Sequence, residues 1–141
     1  MAITQALCNT AKVALMSGGI NLTTGSSQTF KLALYTSSAT LNKTTSAYTS
    51  ANEVSGTGYT AGGVDLVISQ SPQLSGDIAI MDFADASWSN ATFTSRGGLI
   101  YVSGGTAIAV VDFGGDISIT AGNFLVQFPA FNATDAILRI S

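Results

Sequence analysis

Residues Phe30 to Gly63 read FKLALYTSSATLNKTTSAYTSANEVSGTGYTAGG, and the interpretation of the whole chain depends on this stretch. Its first part, residues 30–36, places apolar side chains at the two-residue period of a β-strand. The part that follows consists mostly of Ser, Thr, Asn, Ala and Gly, and it buries too little apolar surface to fold alone. The bulky side chains within it are Leu41, Tyr48, Val54 and Tyr59.

We interpret residues 37–63 as a long ordered loop, which those four bulky side chains attach to the rest of the domain. Unstructured connections longer than about 12–15 residues are uncommon and are usually functional or disordered. An ordered loop of small polar side chains suits contact with a partner better than it suits chemistry. We also expect the fold to survive shortening of this loop, because each doubling of loop length changes closure entropy by only about 0.6 kcal/mol.

The composition restricts the classes of function. A chain of 141 residues is one domain of ordinary size. Charged residues make up 9% of it, against about a quarter in an average soluble domain, which is typical of a surface that packs against copies or partners. The five basic residues are scattered along the chain and form no cluster for nucleic acid. No run of 18 apolar residues occurs, so no membrane span is expected.

The pattern of apolar residues predicts one helix followed by β-strands. Apolar side chains at helical spacing predict a helix over Ala2–Ser17, ended by Gly18-Gly19. Short apolar runs between turn residues predict about eight strands, with Pro72 and the pairs Gly97-Gly98 and Gly114-Gly115 in turns. The runs lie within residues 30–36, 64–69, 77–84, 86–96, 99–102, 107–113, 117–119, 123–128 and 136–140.

Many short strands at regular spacing with glycine turns favour an all-β architecture. The residues Ser103-Gly104-Gly105-Thr106 lie between two β-rich runs and predict a hairpin. We therefore expect a mainly β fold: a single antiparallel β-sandwich or jelly-roll-like domain over residues 1–141. Within it, residues 1–18 contain the short helix, residues 30–141 form the sandwich, and residues 37–63 form the long contact loop.

Residue content predicts a protein that is not an enzyme. The chain has no histidine, which removes Ser-His-Asp and Cys-His arrangements. The carboxylate pairs Asp82/Asp85 and Asp112/Asp116 are expected to cap turns or lie at strand edges, while a calcium site or a glycosidase-type pair stays open. Cys8 is the single cysteine and is expected in the core. We predict no catalytic residue, no cofactor and no metal site.

Two further side chains are candidates for an interface. Arg96 lies close in sequence to Trp88, the single tryptophan. Arg96 is expected either to form a salt bridge with a nearby Asp or to anchor a subunit interface, where Arg, Trp and Tyr are enriched. The full predicted partner interface consists of Leu41, Tyr48, Val54, Tyr59, Trp88 and Arg96.

Several segments resemble small virion structural proteins of tailed bacteriophages. They are the stretch KLALYTSSATLNKTTSAYTSANEVSGTGYTAGG, then W…ATFTSRGGLIY, AVVDFGGD, GNFLVQFP and a terminal AILRI. The resemblance covers essentially the whole chain, and EVSGTGYTAGG and VVDFGGD are its most specific parts. It implies a virion component that is made in the host cytoplasm.

Combined with the low charge, the resemblance favours a capsid decoration, or cement, protein at the capsid surface. Its partners would be the major capsid protein and further copies of itself, as a homotrimer, without nucleic acid or membrane. The alternative is a tail or head-fibre module that binds a host receptor or glycan. In that case, the rings expected to stack on sugar are Tyr48, Tyr59, Trp88 and Tyr101.

Overall fold

The computed structural model describes residues 2–127 and 138–140, which form two antiparallel sheets and one short helix. The predicted mainly β, sandwich-like fold is confirmed. The elements are β1 (Ala6–Leu7), α1 (Asn9–Ser17), β2 (Phe30–Tyr35), β3 (Val64–Leu66), β4 (Ile68–Ser75), β5 (Ile78–Phe83), β6 (Ala86–Val102), β7 (Ala107–Val126) and β8 (Leu138–Ile140). The larger sheet has the order β1-β7-β6-β2-β3, and the smaller sheet has the order β4-β5-β8.

A long hairpin, β6–β7, dominates the larger sheet. Its turn lies over residues 103–106, as predicted, and Gly104 there adopts the left-handed conformation with φ +77°. The two strands are 17 and 20 residues long, whereas the sequence predicted several short strands in this region. The predicted breaks at Gly97-Gly98 and Gly114-Gly115 are wrong, because both pairs lie inside continuous strands.

Close packing explains why glycines occupy positions 97 and 98 inside a strand. Gly97 and Gly98 pair with β2 on one side and with β7 on the other. A Cβ at Gly97 would lie 2.5 Å from the Val111 carbonyl oxygen, and one at Gly98 would lie 2.8 Å from Leu32 Cδ1. Gly114 has φ +82° and lies where the β6–β7 register shifts, as expected of a β-bulge.

The N-terminal segment is extended before it becomes helical. Helix α1 begins at Asn9, so the predicted start at Ala2 is wrong. Ala6 and Leu7 instead pair with β7, and the Cys8 amide donates a hydrogen bond of 2.8 Å to the Ile108 carbonyl. The predicted end is confirmed, since Gly18 caps the helix in the left-handed conformation.

The strand predicted over residues 64–69 is divided between the two sheets. Residues up to Leu66 pair with β2 in the larger sheet, and residues from Ile68 onward pair with β5 in the smaller one. Pro72 lies inside β4, not in a turn. Its position is an edge strand with irregular pairing, where the missing proline N–H is tolerated.

The larger sheet is covered on both faces. Phe30 lies opposite Val102, and its ring contacts Phe83 of the smaller sheet at a centroid distance of 5.9 Å. Tyr101 precedes Val102 in β6 and therefore points to the other face of the sheet. There its ring stacks on Tyr48 of the loop at a centroid distance of 4.9 Å. The smaller sheet therefore covers one face, and the loop over residues 37–63 covers the other.

Two of the predicted strands extend beyond the described residues. In the strands predicted over residues 123–128 and 136–140, residues 128, 136 and 137 lie outside the described residues. Within the described ranges, no helix has the length and apolar character required to cross a bilayer.

Candidate contact surface formed by the loop

The loop over residues 37–63 crosses the larger sheet without forming a strand of its own. It contacts the sheet through single bridges that pair Leu41 with Ile3, Glu53 with Tyr35, Ala47 with Thr106 and Thr57 with Thr92. These bridges extend from the N-terminal segment to the distal half of β6. The loop is therefore ordered and attached along its length, as the sequence predicted.

Two aliphatic anchors of the loop are buried in the domain. Leu41 is 1% exposed and Val54 is 4% exposed. Leu41 also exchanges two backbone hydrogen bonds with the N-terminal segment, accepting from the Thr4 amide and donating to the Ala2 carbonyl. The Val54 amide donates to the Leu34 carbonyl at 2.9 Å. At both residues the backbone is hydrogen-bonded and the side chain is buried, so the loop is attached to the domain at these two points.

The single glutamate of the chain, Glu53, links two parts of the loop. Its Oε1 accepts a hydrogen bond from the Tyr48 hydroxyl at 2.6 Å. Its Oε2 accepts from the Tyr59 hydroxyl and from the Gly62 amide, the latter at 2.8 Å. Hydrogen bonds to an ionised acceptor are about twice as strong as neutral ones. A partly buried carboxylate with three donors therefore holds the loop closed on itself.

Glu53 is not among the predicted contact residues. The available signal was the presence of one acidic residue within a loop otherwise rich in Ser, Thr and Gly, between two tyrosines. In such a setting, a carboxylate that is not needed for solubility is a candidate acceptor for the tyrosine hydroxyls.

Tyrosine hydroxyls make further polar contacts between the loop and the sheet. Tyr35 of β2 donates to the Thr49 carbonyl at 2.6 Å, and Tyr101 of β6 donates to the Gly62 carbonyl at 2.6 Å. The Tyr59 hydroxyl also accepts a hydrogen bond from the Leu34 amide at 2.9 Å. All four tyrosines of the chain, including Tyr48, therefore take part in attaching the loop.

The environment of these hydroxyls disfavours their ionisation. Burial raises the pKa of Tyr48 to about 12, and the hydrogen bond to Glu53 adds to the effect. Burial also raises the pKa of Tyr35 and of Tyr59, and in Tyr59 the hydrogen bond to Glu53 again contributes. The hydroxyls therefore act as neutral donors at physiological pH.

Glycines allow the loop to lie directly on the sheet. A Cβ at Gly63, where φ is +83°, would lie 1.8 Å from the Leu32 carbonyl oxygen. A Cβ at Gly56 would lie 2.4 Å from the Thr92 carbonyl oxygen. At these two positions the loop backbone is in contact with the sheet backbone, and no larger residue fits there without a shift.

The predicted interface residues lie mostly inside the domain. Leu41, Val54 and Trp88 are buried, while Tyr48 and Tyr59 are partly buried. The ring of Tyr59 stacks on Trp88 at 6.2 Å. These side chains contact their own domain, and their burial argues against the expectation that the fold survives shortening of the loop. Their part in binding a partner stays a prediction.

The exposed side of the loop consists of small, uncharged polar side chains. The exposed Ser, Thr and Asn residues of this side are Ser37, Ser38, Thr40, Thr44, Ser46, Thr49, Ser50, Asn52, Ser55, Thr57 and Thr60. Lys43 adds one positive charge. This surface can form hydrogen bonds, but it offers no general base or nucleophile activated by a neighbouring group.

The remaining candidate residues take structural positions. Arg96 Nε lies 3.3 Å from Asp112 Oδ1, which confirms the salt-bridge interpretation. The same oxygen accepts a hydrogen bond from the Gly114 amide, so Asp112 bonds its own backbone as predicted, but at a bulge within β7 and not at a turn. Cys8 is fully buried, and burial raises the pKa of its thiol to about 11, which confirms it as a core residue.

The carboxylates of the described residues do not come together as a metal site. Burial raises the pKa of Asp82, and the charge of Asp85 adds to the increase. Among residues 2–127 and 138–140, no group of three or more His, Cys, Asp or Glu side chains lies together in a geometry for a metal ion.

The aromatic residues proposed to stack on sugar are used internally. Trp88 is 3% exposed and Tyr101 is 4% exposed, and Tyr48 and Tyr59 lie against them. Trp88 and Tyr101 are therefore used in internal packing, while Tyr48 and Tyr59 are partly exposed.

Comparisons with known proteins returned nothing: no family model, no curated protein and no solved structure matches the chain.

Proposed function

We propose that this protein is a structural component of a tailed-bacteriophage virion, and that it acts as a decoration protein on the outer capsid surface. The class follows from the resemblance of the whole chain to small phage virion proteins. The proposed contact with the capsid rests on the loop over residues 37–63. In this proposal, the exposed side of residues 37–63 binds the major capsid protein and stabilises the assembled lattice, since a protein that binds only the assembled state shifts the equilibrium toward it.

The observation that carries this proposal is the combination of rigidity and low charge in the loop. Its backbone is fixed by Leu41, Val54 and the three hydrogen bonds to Glu53. A surface that is ordered before binding loses little conformational entropy when a partner covers it. Its hydroxyl and amide groups can be desolvated at lower cost than ionised groups. Both properties suit a flat contact repeated many times over a shell.

Self-association as a homotrimer on the assembled capsid lattice is the second part of the proposal. Decoration proteins commonly occupy local three-fold positions, and a surface with few charges gives little repulsion between copies. The capsid would then hold the trimers in register.

Binding to capsid shells tests the role of the loop. Ser38→Arg and Ser50→Arg place a large cation on its exposed side, and each should weaken binding to purified expanded capsids about tenfold or more. Gln73→Arg places the same cation on exposed β4 and serves as the matched control. All three variants should melt like the parent protein. Equal binding by all three would contradict the loop contact.

Cryo-electron microscopy of the parent particle tests the location. The proposal requires density for this fold at regular positions on the outer head. Density restricted to the tail or fibres would overturn the decoration role while leaving a virion component in place.

A further inference from the structure

Among the described residues, no strand pairs with the outer edge of β7 over most of its length. On one side β7 pairs with β6 along the hairpin. On the other side, β1 pairs only with Ala109 and Val110. Within the described part of the chain, residues 113–126 therefore have no strand on this side. Such an edge presents a row of backbone N–H and C=O groups that another extended chain can match.

The central part of this edge, residues 115–120, reads GDISIT. It is bounded by two residues with positive φ, Gly114 at +82° and Ala121 at +47°. Between them, Ile117 and Ile119 alternate with polar residues at the period of a strand. Ile117 is 44% exposed. The segment is short, apolar on one side and rich in β-formers, which is the composition of an edge that pairs readily.

An apolar groove runs along the same strand. Its volume is about 420 Å³. Its apolar lining comes from β7 itself, from Val111, Phe113, Ile117, Ile119, Phe124 and Leu125. Leu125 is 54% exposed. The groove can accept the side chains of a strand that lies beside β7.

Charge and register identify a second copy of the chain as the occupant. Asp116 is the only ionisable residue in 113–126. In an antiparallel pair centred on Ser118, Ile117 of one copy faces Ile119 of the other, and Asp116 faces Thr120. The two Asp116 carboxylates are then about 13 Å apart along the strand, which is beyond the screening length of about 8 Å at physiological salt. The edge is therefore complementary to itself.

We propose that the free edge of β7 pairs antiparallel with the same edge of a second copy, so that the larger sheets of two molecules form one continuous sheet. This contact uses the same surface on both copies and closes as a dimer. It differs from the three-fold association implied by the resemblance. It also requires no virion, so its failure would leave the proposed capsid role untouched.

Sedimentation velocity of the purified full chain tests the pairing. Over the micromolar range the parent protein should sediment as a dimer. Ile117→Lys places a charge at the centre of the edge, a device by which native proteins block edge pairing, and should raise the dimer dissociation constant about tenfold or more. Leu74→Lys introduces the same charge at an exposed apolar position of β4 and should leave the dimer intact. A monomer or a trimer of the parent protein, or a dimer insensitive to Ile117→Lys, would overturn the proposal.

Hydrogen exchange of the unaltered protein gives a second test that does not depend on the folding of a variant. Outward-facing amides within residues 115–120 should exchange more slowly as protein concentration rises, whereas amides of β2 should not change. Exchange in residues 115–120 that is independent of concentration would overturn the pairing.

Discussion

The two layers that cover the larger sheet achieve the same burial by different means. The smaller sheet packs through apolar side chains, as in the contact between Phe30 and Phe83. The loop over residues 37–63 packs through backbone contacts, tyrosine hydroxyls and one carboxylate, Glu53. A segment without regular strands can therefore serve as a layer of a sandwich when its polar groups are satisfied individually.

This difference implies different sensitivities to mutation. Apolar layers tolerate substitutions that conserve volume. A layer attached by a few directional hydrogen bonds and close backbone contacts should instead be sensitive to changes of single atoms.

Replacing residues 37–55 with a short Gly-Ser linker should abolish cooperative folding. The replacement removes the buried anchors Leu41 and Val54 and uncovers the face that carries Tyr35 and Tyr101. Leu41→Ala alone should cost about 2–5 kcal/mol, the range for large-to-small changes in a core. Thermal unfolding followed by circular dichroism measures both. A parental melting curve for the linker variant would show that the loop is not a layer of the fold.

Gly63→Ala should destabilise the protein by about 2–5 kcal/mol, from positive-φ strain plus a backbone clash. The added Cβ would meet the Leu32 carbonyl oxygen at 1.8 Å. Gly104→Ala is the matched control, because φ there is +77° but no atom lies within 4 Å of the added Cβ. It should cost only about 1 kcal/mol. Denaturant unfolding separates the two, and equal losses would mean that the loop does not lie on β2.

Glu53→Gln should cost about 1–3 kcal/mol, since it replaces charge-assisted hydrogen bonds and turns an NH₂ group toward a donor. Tyr48→Phe removes one of the same hydrogen bonds. The losses from the two changes should be less than additive in a double-mutant cycle, because both act on one network. Strict additivity would show that the Tyr48–Glu53 hydrogen bond contributes nothing to stability.

Stability should decrease as pH rises above about 9. The buried Cys8 thiol has its pKa raised from 9.0 to about 11, and that of Tyr48 is raised from 10.0 to about 12. Because each folded-state pKa is above the unfolded value, the unfolded chain ionises first, and stability is lost as pH rises toward the folded values. Denaturant midpoints from pH 7 to 11 measure the effect, and a flat profile would contradict the burial of these groups.

Arg96→Met should have the smallest effect, below about 1 kcal/mol. The ion pair with Asp112 is partly exposed, with the Arg96 side chain 34% accessible. Methionine conserves much of the apolar stem. A loss of several kcal/mol in urea unfolding would assign Arg96 a role that the partly exposed ion pair does not explain.

Local patterns predicted the elements whose signals are complete within a few residues. The strand Phe30–Tyr35 and the turn over residues 103–106 were predicted because alternation and paired glycines are short-range signals. The sandwich-like class followed from the number and spacing of such runs.

Elements decided by distant contacts were not predicted. Gly97-Gly98 has the sequence of a turn, yet it lies inside β6 because Leu32 and Val111 approach it from neighbouring strands. Residues 6 and 7 fit a helical pattern, but pairing with β7 makes them extended. A single sequence does not show which of two permitted conformations its distant neighbours select.

Dependence on distant contacts also explains why one part of the contact surface was predicted and another was not. The loop and its four bulky anchors could be identified from composition. The role of Glu53 could not, because its donors are 5 to 9 residues away in an irregular segment where no period fixes their geometry.

Native-state hydrogen exchange at the Val54 amide tests most directly whether the loop is a structural layer of the domain. This amide donates to the Leu34 carbonyl and therefore joins the loop to β2. If the loop is part of the cooperative core, the Val54 amide should exchange with the same free energy of opening as the amides of β2. Exchange of Val54 that is orders of magnitude faster, while β2 remains protected, would contradict this account.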